Sequence, residues 1–231
     1  MPKGNDSKLK CKRCNSKEVL EVSKTLFLCK AHFEEYLYKK FKRSIRDFKI
    51  LKPGIKVGFT IDDSISNIVL VHFMVKLSEE FPYKITCAKL TKPLKSMVIR
   101  NSNKQILKKI AISKPEIIFL PKTADDIAIY LTKFLFEKSK TIPKLSKLIN
   151  YKRNNTIYCC PLWQITENEL ILYAKHFFSD LNLEEFKTKK KNRKIYDDKN
   201  YAKAMELIRL TKTGIVNVES KIINFFKELE E

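Results

Sequence analysis

The sequence predicts an α/β fold, a parallel sheet flanked by helices, with a small metal-binding ribbon at its N-terminal end and helices at its C-terminal end. Three observations predict it. Short apolar runs rich in β-branched and aromatic residues alternate with segments of helical periodicity across residues 51–180. Three cysteines and a histidine gather at 11, 14, 29 and 32, at the spacing of metal ligands. A chain of 231 residues, 44% of them hydrophobic, can bury the core of one ordinary α/β domain and still carry a small extension.

The ribbon is expected over residues 1–34. It reads Cys11-Lys-Arg-Cys14, then fourteen residues, then Cys29-Lys-Ala-His32. Each pair can close a tight turn that aims two ligands at one point, and two such turns make a tetrahedral site. Between them, Glu18 to Leu28 is rich in β-formers and fits two short strands. Four ligands leave no open position, so the expected ion is a structural Zn2+. A redox CxxC is the weaker alternative, and His32 could instead be an exposed helix residue. The other cysteines are 87, 159 and 160; clusters of this kind in a reducing compartment are more often ligands or catalytic groups than disulfides.

A basic linking helix is expected over residues 35–50. Phe33, Tyr36, Leu37, Lys40, Phe41 and Ile45 recur at three and four. The other face carries Lys39, Lys40, Lys42, Arg43 and Arg46, which suits the phosphate backbone of an RNA or, equally, a solvated surface.

The α/β domain is expected over residues 51–180. Leu51 to Gly54 is a turn and Ile55 to Thr60 a buried strand. Asp62, Asp63 and Ser64 offer N-caps for a helix over Ser66 to Glu80. Tyr83 to Ala88 reads as a strand, Lys104 to Ala111 as a helix, Glu116 to Leu120 as a strand and Asp125 to Phe136 as a helix. Thr156 to Cys160 is a further strand, and the capping box from Thr166 to Glu169 opens a helix that runs to Phe178. Ligands of parallel sheets bind at the carboxyl ends of the strands. That edge would carry Thr60 to Ser64, Cys87, Pro121 to Asp126, and Cys160. Cys159 and Cys160 are adjacent in a strand, so one is expected in the core and the other at the pocket rim.

Residues 181–231 hold a basic loop and two closing helices, Tyr201 to Leu210 and Val218 to Leu229. The loop cations Lys187, Lys189, Lys190, Lys191, Arg193 and Lys194 are the best candidates for phosphate contact, with Tyr196 and Tyr201 able to stack on bases. The whole chain carries 47 Lys and Arg against 26 Asp and Glu, a net charge of +21. Such an excess attracts polyanions, and nucleic acid is the leading partner. No run approaches the roughly 18 apolar residues of a membrane span, and the first residues lack the apolar core of a signal peptide, so a cytoplasmic protein is expected.

Three motifs carry a resemblance to a family. Val57-Gly-Phe-Thr-Ile-Asp-Asp-Ser64 sits where a strand and an S-G-G-x-D-S phosphate loop would lie. Leu120-Pro-Lys-Thr-Ala-Asp-Asp-Ile-Ala128 sits where G-H-N-x-D-D-x-A would lie, with Leu120-Pro121-Lys122 in place of G-H-N and the retained Asp125 and Asp126, at a helix start, expected to serve as caps. Cys160-Pro-Leu-Trp-Gln-Ile-Thr-Glu-Asn-Glu-Leu-Ile-Leu-Tyr-Ala174 is similar to R-x-x-P-L-x-x-I-x-E-x-E-x-x-x-Y-A. Together with the ribbon and basic helix, these resemble the tRNA 2-thiolation proteins of the PP-loop ATP pyrophosphatase superfamily, whose domain is adenine nucleotide alpha hydrolase-like.

The departures matter as much. A phosphate cradle needs glycines so that backbone N–H groups can approach the ligand. Of the loop Thr60, Ile61, Asp62, Asp63 and Ser64, the glycine places hold Ile61 and Asp62, which makes ATP binding doubtful. Val98 to Asn103 stands where catalytic relatives have cysteines, and none follows Cys160, so no iron–sulfur cluster is expected. With a serine at 64, the chain resembles the non-catalytic subunit of the cytoplasmic tRNA 2-thiolation complex. That resemblance implies a heterodimer with a catalytic thiolase, tRNA as ligand, and a ubiquitin-like sulfur carrier reached through the partner. Two readings compete. One is an active sulfurtransferase with Asp62, Asp63, Asp125 and Asp126 holding magnesium and Cys160 carrying sulfur. The other is a free-standing zinc-ribbon RNA-binding protein.

Overall fold

The computed structural model describes residues 10–17, 20–23, 25–59, 64–85, 115–136, 144–153, 155–178, 199–212 and 218–228. Two short strands, β1 (Leu20–Ser23) and β2 (Leu26–Leu28), pair as an antiparallel hairpin. Helix α1 (Lys30–Phe48) follows directly. Strand β3 (Lys56–Phe59), helix α2 (Ile65–Glu80) and strand β4 (Lys84–Ile85) form a parallel unit. Strand β5 (Ile117–Phe119), helix α3 (Ala124–Phe136), the short helix α4 (Leu145–Ile149), and strands β6 (Asn150–Arg153) and β7 (Thr156–Cys159) complete the sheet. Helices α5 (Glu167–Phe177), α6 (Lys199–Lys212) and α7 (Val218–Glu228) follow.

The main sheet runs β4-β3-β5-β7-β6. Its first four strands are parallel, as the alternating pattern implies, but β6 is antiparallel to β7 at the edge. The hairpin adds one antiparallel edge strand to the expected parallel sheet. Asn150-Tyr-Lys-Arg153 is polar, and an edge strand needs no apolar run to be held by its one neighbour.

The core lies on one face of this sheet. Val57, Phe59, Ile117, Phe119 and Cys159 alternate inward from β3, β5 and β7 and meet α1, α2 and α5. Helix α1 contributes the stripe Phe33, Leu37, Phe41, Ile45 and Phe48, and Lys49 ends it in a left-handed turn at φ 52°. Helix α2 is buried nearly all round, with Ser64 accepting the Asn67 N–H at 3.2 Å as its N-cap. Phe41, Phe73 and Tyr173 interlock across α1, α2 and α5, with centroids 5.3 and 5.2 Å apart. Cys11 and Leu28 belong to the same core, and α1 runs unbroken across residues 34 and 35. The ribbon is therefore packed into the domain. A second cluster joins α3 to α4 and α7 through Ile127, Leu131, Leu145, Ile223 and Phe226.

The expected helix Lys104 to Ala111, Cys87, the loop Thr60 to Asp63 and the basic run Lys187 to Lys194 with Tyr196 lie outside the described residues. No described helix is long and apolar enough to cross a membrane.

Candidate functional site

The two arms of the ribbon are built by local hydrogen bonds. The Cys11 N–H donates to Ser16 O at 2.9 Å, and Asn15, at φ 57°, returns its N–H to Cys11 O at 3.0 Å. The Lys12 N–H donates to Phe27 O at 3.0 Å, which fastens this turn to β2. The Arg13 N–H points at Cys11 Sγ from 3.4 Å. On the other arm Cys29 is the N-cap of α1, so His32 falls in the first helical turn. His32 Nδ1 lies 3.3 Å from Cys29 Sγ and 3.4 Å from Cys11 Sγ, and Cys14 Sγ lies 3.7 Å from Cys29 Sγ.

The four ligand atoms all lie within 4.8 Å of one another. Bonds of about 2.3 Å to sulfur and about 2.0 Å to nitrogen around one tetrahedral ion separate neighbouring ligands by about 3.5–3.8 Å. The donor set therefore fits a metal. The electrostatics agree. Burial opposes the Cys11 thiolate, but the backbone groups of Cys29, Arg13 and Cys14 and the His32 ring outweigh it and bring the thiol down to about 5. The Ser16 N–H favours the Cys14 thiolate, yet burial and the neighbouring sulfurs of Cys29 and Cys11 push that thiol up. A cation removes this conflict by letting all the sulfurs ionise together.

At the carboxyl edge of the sheet the expected groups are engaged elsewhere. Asp126 Oδ2 accepts the Thr123 N–H at 2.9 Å and the Thr123 hydroxyl at 3.0 Å, while Thr123 Oγ1 accepts the Asp126 N–H. This reciprocal pair caps α3. Asp125 accepts the Glu167 N–H at 2.6 Å and the Lys212 ammonium at 2.8 Å, and Glu219 closes on the same lysine. Neither aspartate is left as a free pocket carboxylate. A cleft of about 400 Å³ between α3 and α6 opens beside this network, lined by Asp125, Asp126, Glu167, Arg209 and Lys212.

The adjacent cysteines correct an expectation. Cys159 and Cys160 are both buried, where one was expected at a pocket rim. Strand β7 ends at Cys159, so Cys160 leaves the pleat and turns its Sγ toward Leu148 O at 3.7 Å. Burial pushes both thiols up to about 12, which keeps them protonated and poorly suited to carry sulfur.

The buried triad has a pH signature. Burial opposes charge on Asp125, but Lys212 outweighs it and holds the carboxyl below its usual value of about 3.9. A depressed carboxyl adds stability above that usual value and loses it as pH falls through the folded one. Glu219 has the opposite sign: burial and Asp125 raise it despite Lys212, so acid relieves it first. Asp125→Asn is therefore expected to flatten the fall in stability below about pH 4. Urea midpoints across pH 2.5–6 check it, and an unchanged acid limb would reject the triad's role.

Of the helix α1 cations, Lys39 pairs with Glu35 at 2.5 Å and Lys42 with Glu80 at 3.0 Å. Arg43 and Arg46 are well exposed, with side chains 68% and 78% open, and among the described carboxylates Asp47 lies 4.0 Å from each. Lys40 turns inward to Glu169. That contact joins residues 129 apart, which helical periodicity cannot reveal.

No family model and no curated protein matches this sequence. The fold does match a solved structure, the U34-tRNA thiolase NcsA from Methanococcus maripaludis with its [4Fe-4S] cluster. The TM-score is 0.62 at 18% identity, over 95% of this chain and 86% of that one. This chain thus shares the α/β fold of that thiolase structure and carries an N-terminal Cys/His cluster. The neighbour also corrects the expectation of structural zinc with no iron–sulfur centre. A protein of this fold carries a [4Fe-4S] cluster, and cysteine thiolates serve iron as well as zinc, so ligand spacing does not assign the centre to zinc.

Proposed function

We propose that this chain is a tRNA-binding, non-catalytic subunit of tRNA wobble-uridine 2-thiolation, acting beside a catalytic thiolase in the cytoplasm. The observation that carries the reading is the fold likeness to a U34-tRNA thiolase along 95% of the chain. Ile61 and Asp62 in the loop, the engagement of Asp125 and Asp126, and the burial of Cys159 and Cys160 support a role without chemistry of its own. The net charge of +21, with Arg43, Arg46 and the run Lys187 to Lys194 as first contacts, supports tRNA as ligand. A protein partner is supported by the exposed apolar side chains Tyr130, Leu135, Phe136, Leu207, Leu210 and Phe225 on α3, α6 and α7. Cys11, Cys14, Cys29 and His32 hold the metal centre in this reading. The segments 1–34, 35–50, 51–180 and 181–231 serve as ribbon, basic helix, α/β domain and C-terminal helices.

The test is twofold. The purified chain is expected to retard tRNA in a gel, with affinity falling steeply from 50 to 200 mM salt. Given ATP and a sulfur donor it is expected to form no 2-thiouridine until a thiolase is added. Thiolation by the chain alone, or failure to hold tRNA, rejects the reading. A thiolase active in its own right is the second reading, favoured by the cluster-bearing neighbour. An iron–sulfur absorption band that bleaches on reduction, together with activity of the lone chain, would establish it.

A further inference from the structure

Tyr151 on β6 and Tyr158 on β7 are directly opposed in the antiparallel hairpin, so their side chains leave the same face of the sheet. Their rings lie flat on each other, with centroids 5.1 Å apart and planes 6° from parallel. Tyr158 thus covers one face of the Tyr151 ring, while 38% of Tyr151 stays open to solvent. Every other large apolar side chain exposed to that degree, among the described residues, lies on α3, α6 or α7.

The surroundings are cationic. Lys152 and Arg153 are exposed, and no described carboxylate pairs with either. Arg153 follows Tyr151 by two and so shares its face. The Arg153 guanidinium lies close enough to Tyr151 for its charge to reach the phenol. The aromatic step therefore has a cation of its own hairpin, Arg153, beside it. Among the described residues β6 is the last strand of the sheet, and no described strand pairs with its outer side.

An aromatic ring already held flat by a second ring needs little further ordering to receive a third flat group. The cation beside it suits a phosphate backbone rather than an apolar peptide. Bases inside a duplex are stacked and out of reach; an unpaired base is not. We infer that Tyr151, backed by Tyr158 and flanked by Arg153, is a stacking platform for an unpaired base of single-stranded RNA. This rests on the tRNA-binding reading above and gives that reading a place of base contact.

The test measures binding of the full chain to three probes: a tRNA transcript, a ten-residue oligouridine and an RNA duplex of equal length. Tyr151→Ala is expected to weaken oligouridine binding about 5- to 150-fold, the range of one lost stack, and to leave duplex binding and the salt slope unchanged. Tyr151→Phe should bind like the parent. Arg153→Ser should instead lower the salt slope by about one. Tyr151→Leu keeps an apolar cover on Tyr158, so it should lose affinity as the alanine variant does even if alanine loosens the hairpin. Parental affinity in Tyr151→Leu, or equal losses on duplex and single strand, would overturn the platform. If the parent binds tRNA but not oligouridine, the platform fails and the tRNA reading stands. If it binds no RNA, both fail.

Discussion

Stripping the metal from Cys11, Cys14, Cys29 and His32 is expected to lower the melting temperature by about 6–20 °C. The hairpin has little else to hold it. β1 and β2 are four and three residues long, and a lone two-stranded hairpin is marginal in water. Without the cation, three sulfurs and a ring nitrogen are crowded within 4.8 Å with conflicting protonation demands. The damage spreads because the ribbon is not an outboard module: Cys11, Leu28 and Phe33 are all buried in the main core. Structural sites in isolated finger peptides contribute on the order of 10 kcal/mol of apparent binding energy, much of it spent on ordering the peptide. In a domain that retains its sheet, a net loss of about 3–5 kcal/mol is reasonable. In a chain of this size 1 kcal/mol corresponds to about 2–4 °C. Melting curves by circular dichroism, before and after chelation and again after Cys29→Ala, check it. Metal content and the absorption spectrum of the same samples read the element. A melt that ignores complete metal loss would remove any structural role for the centre.

The ribbon was legible in the sequence because its ligands come in local pairs, and each pair is placed by a turn a few residues long. The element bound was not, since thiolate spacing does not choose between zinc and iron. The strands β3, β5 and β7 were legible because each is a short apolar run. β6 was not, because Asn150-Tyr-Lys-Arg153 has no apolar alternation to betray it. The least legible features are polar contacts between distant segments. Asp125 meets Lys212 across 87 residues and Lys40 meets Glu169 across 129. Such pairs leave no period in the sequence. The cap reading of the paired aspartates holds for Asp126, while the distant Lys212 explains why Asp125 joins a buried triad that neither the cap nor the magnesium reading foresaw.

Glu169→Ala is expected to destabilise the fold by about 3–5 kcal/mol, with a fall in melting temperature of about 6–20 °C. Glu169 does two things from one side chain that is only 8% exposed. Its carboxylate accepts the Lys40 ammonium at 2.8 and 3.1 Å, tying α1 to α5. It also accepts the Thr166 N–H at 2.8 Å, as half of the capping box that opens α5. Burial works against the charge on Lys40, yet Glu169 and the nearby Tyr36 hold the ammonium above its ordinary value. Removing the carboxylate therefore leaves a cation with 26% of its side chain exposed and no acid beside it, and it deletes a helix cap worth about 1 kcal/mol. The variants separate the two. Glu169→Gln keeps an acceptor for Thr166 and should lose less than alanine. Lys40→Met should lose less still, because Glu169 keeps its Thr166 bonds. The effect also reaches the sheet edge. The Glu167 N–H donates to Asp125 and the Ala124 N–H to Ile165 O at 2.9 Å, so a loosened α5 entry frees the start of α3. Urea titrations of the two single variants and of Lys40→Met with Glu169→Gln give the coupling energy directly. A coupling near zero would show that the pair is a surface contact and that the cap alone carries the loss.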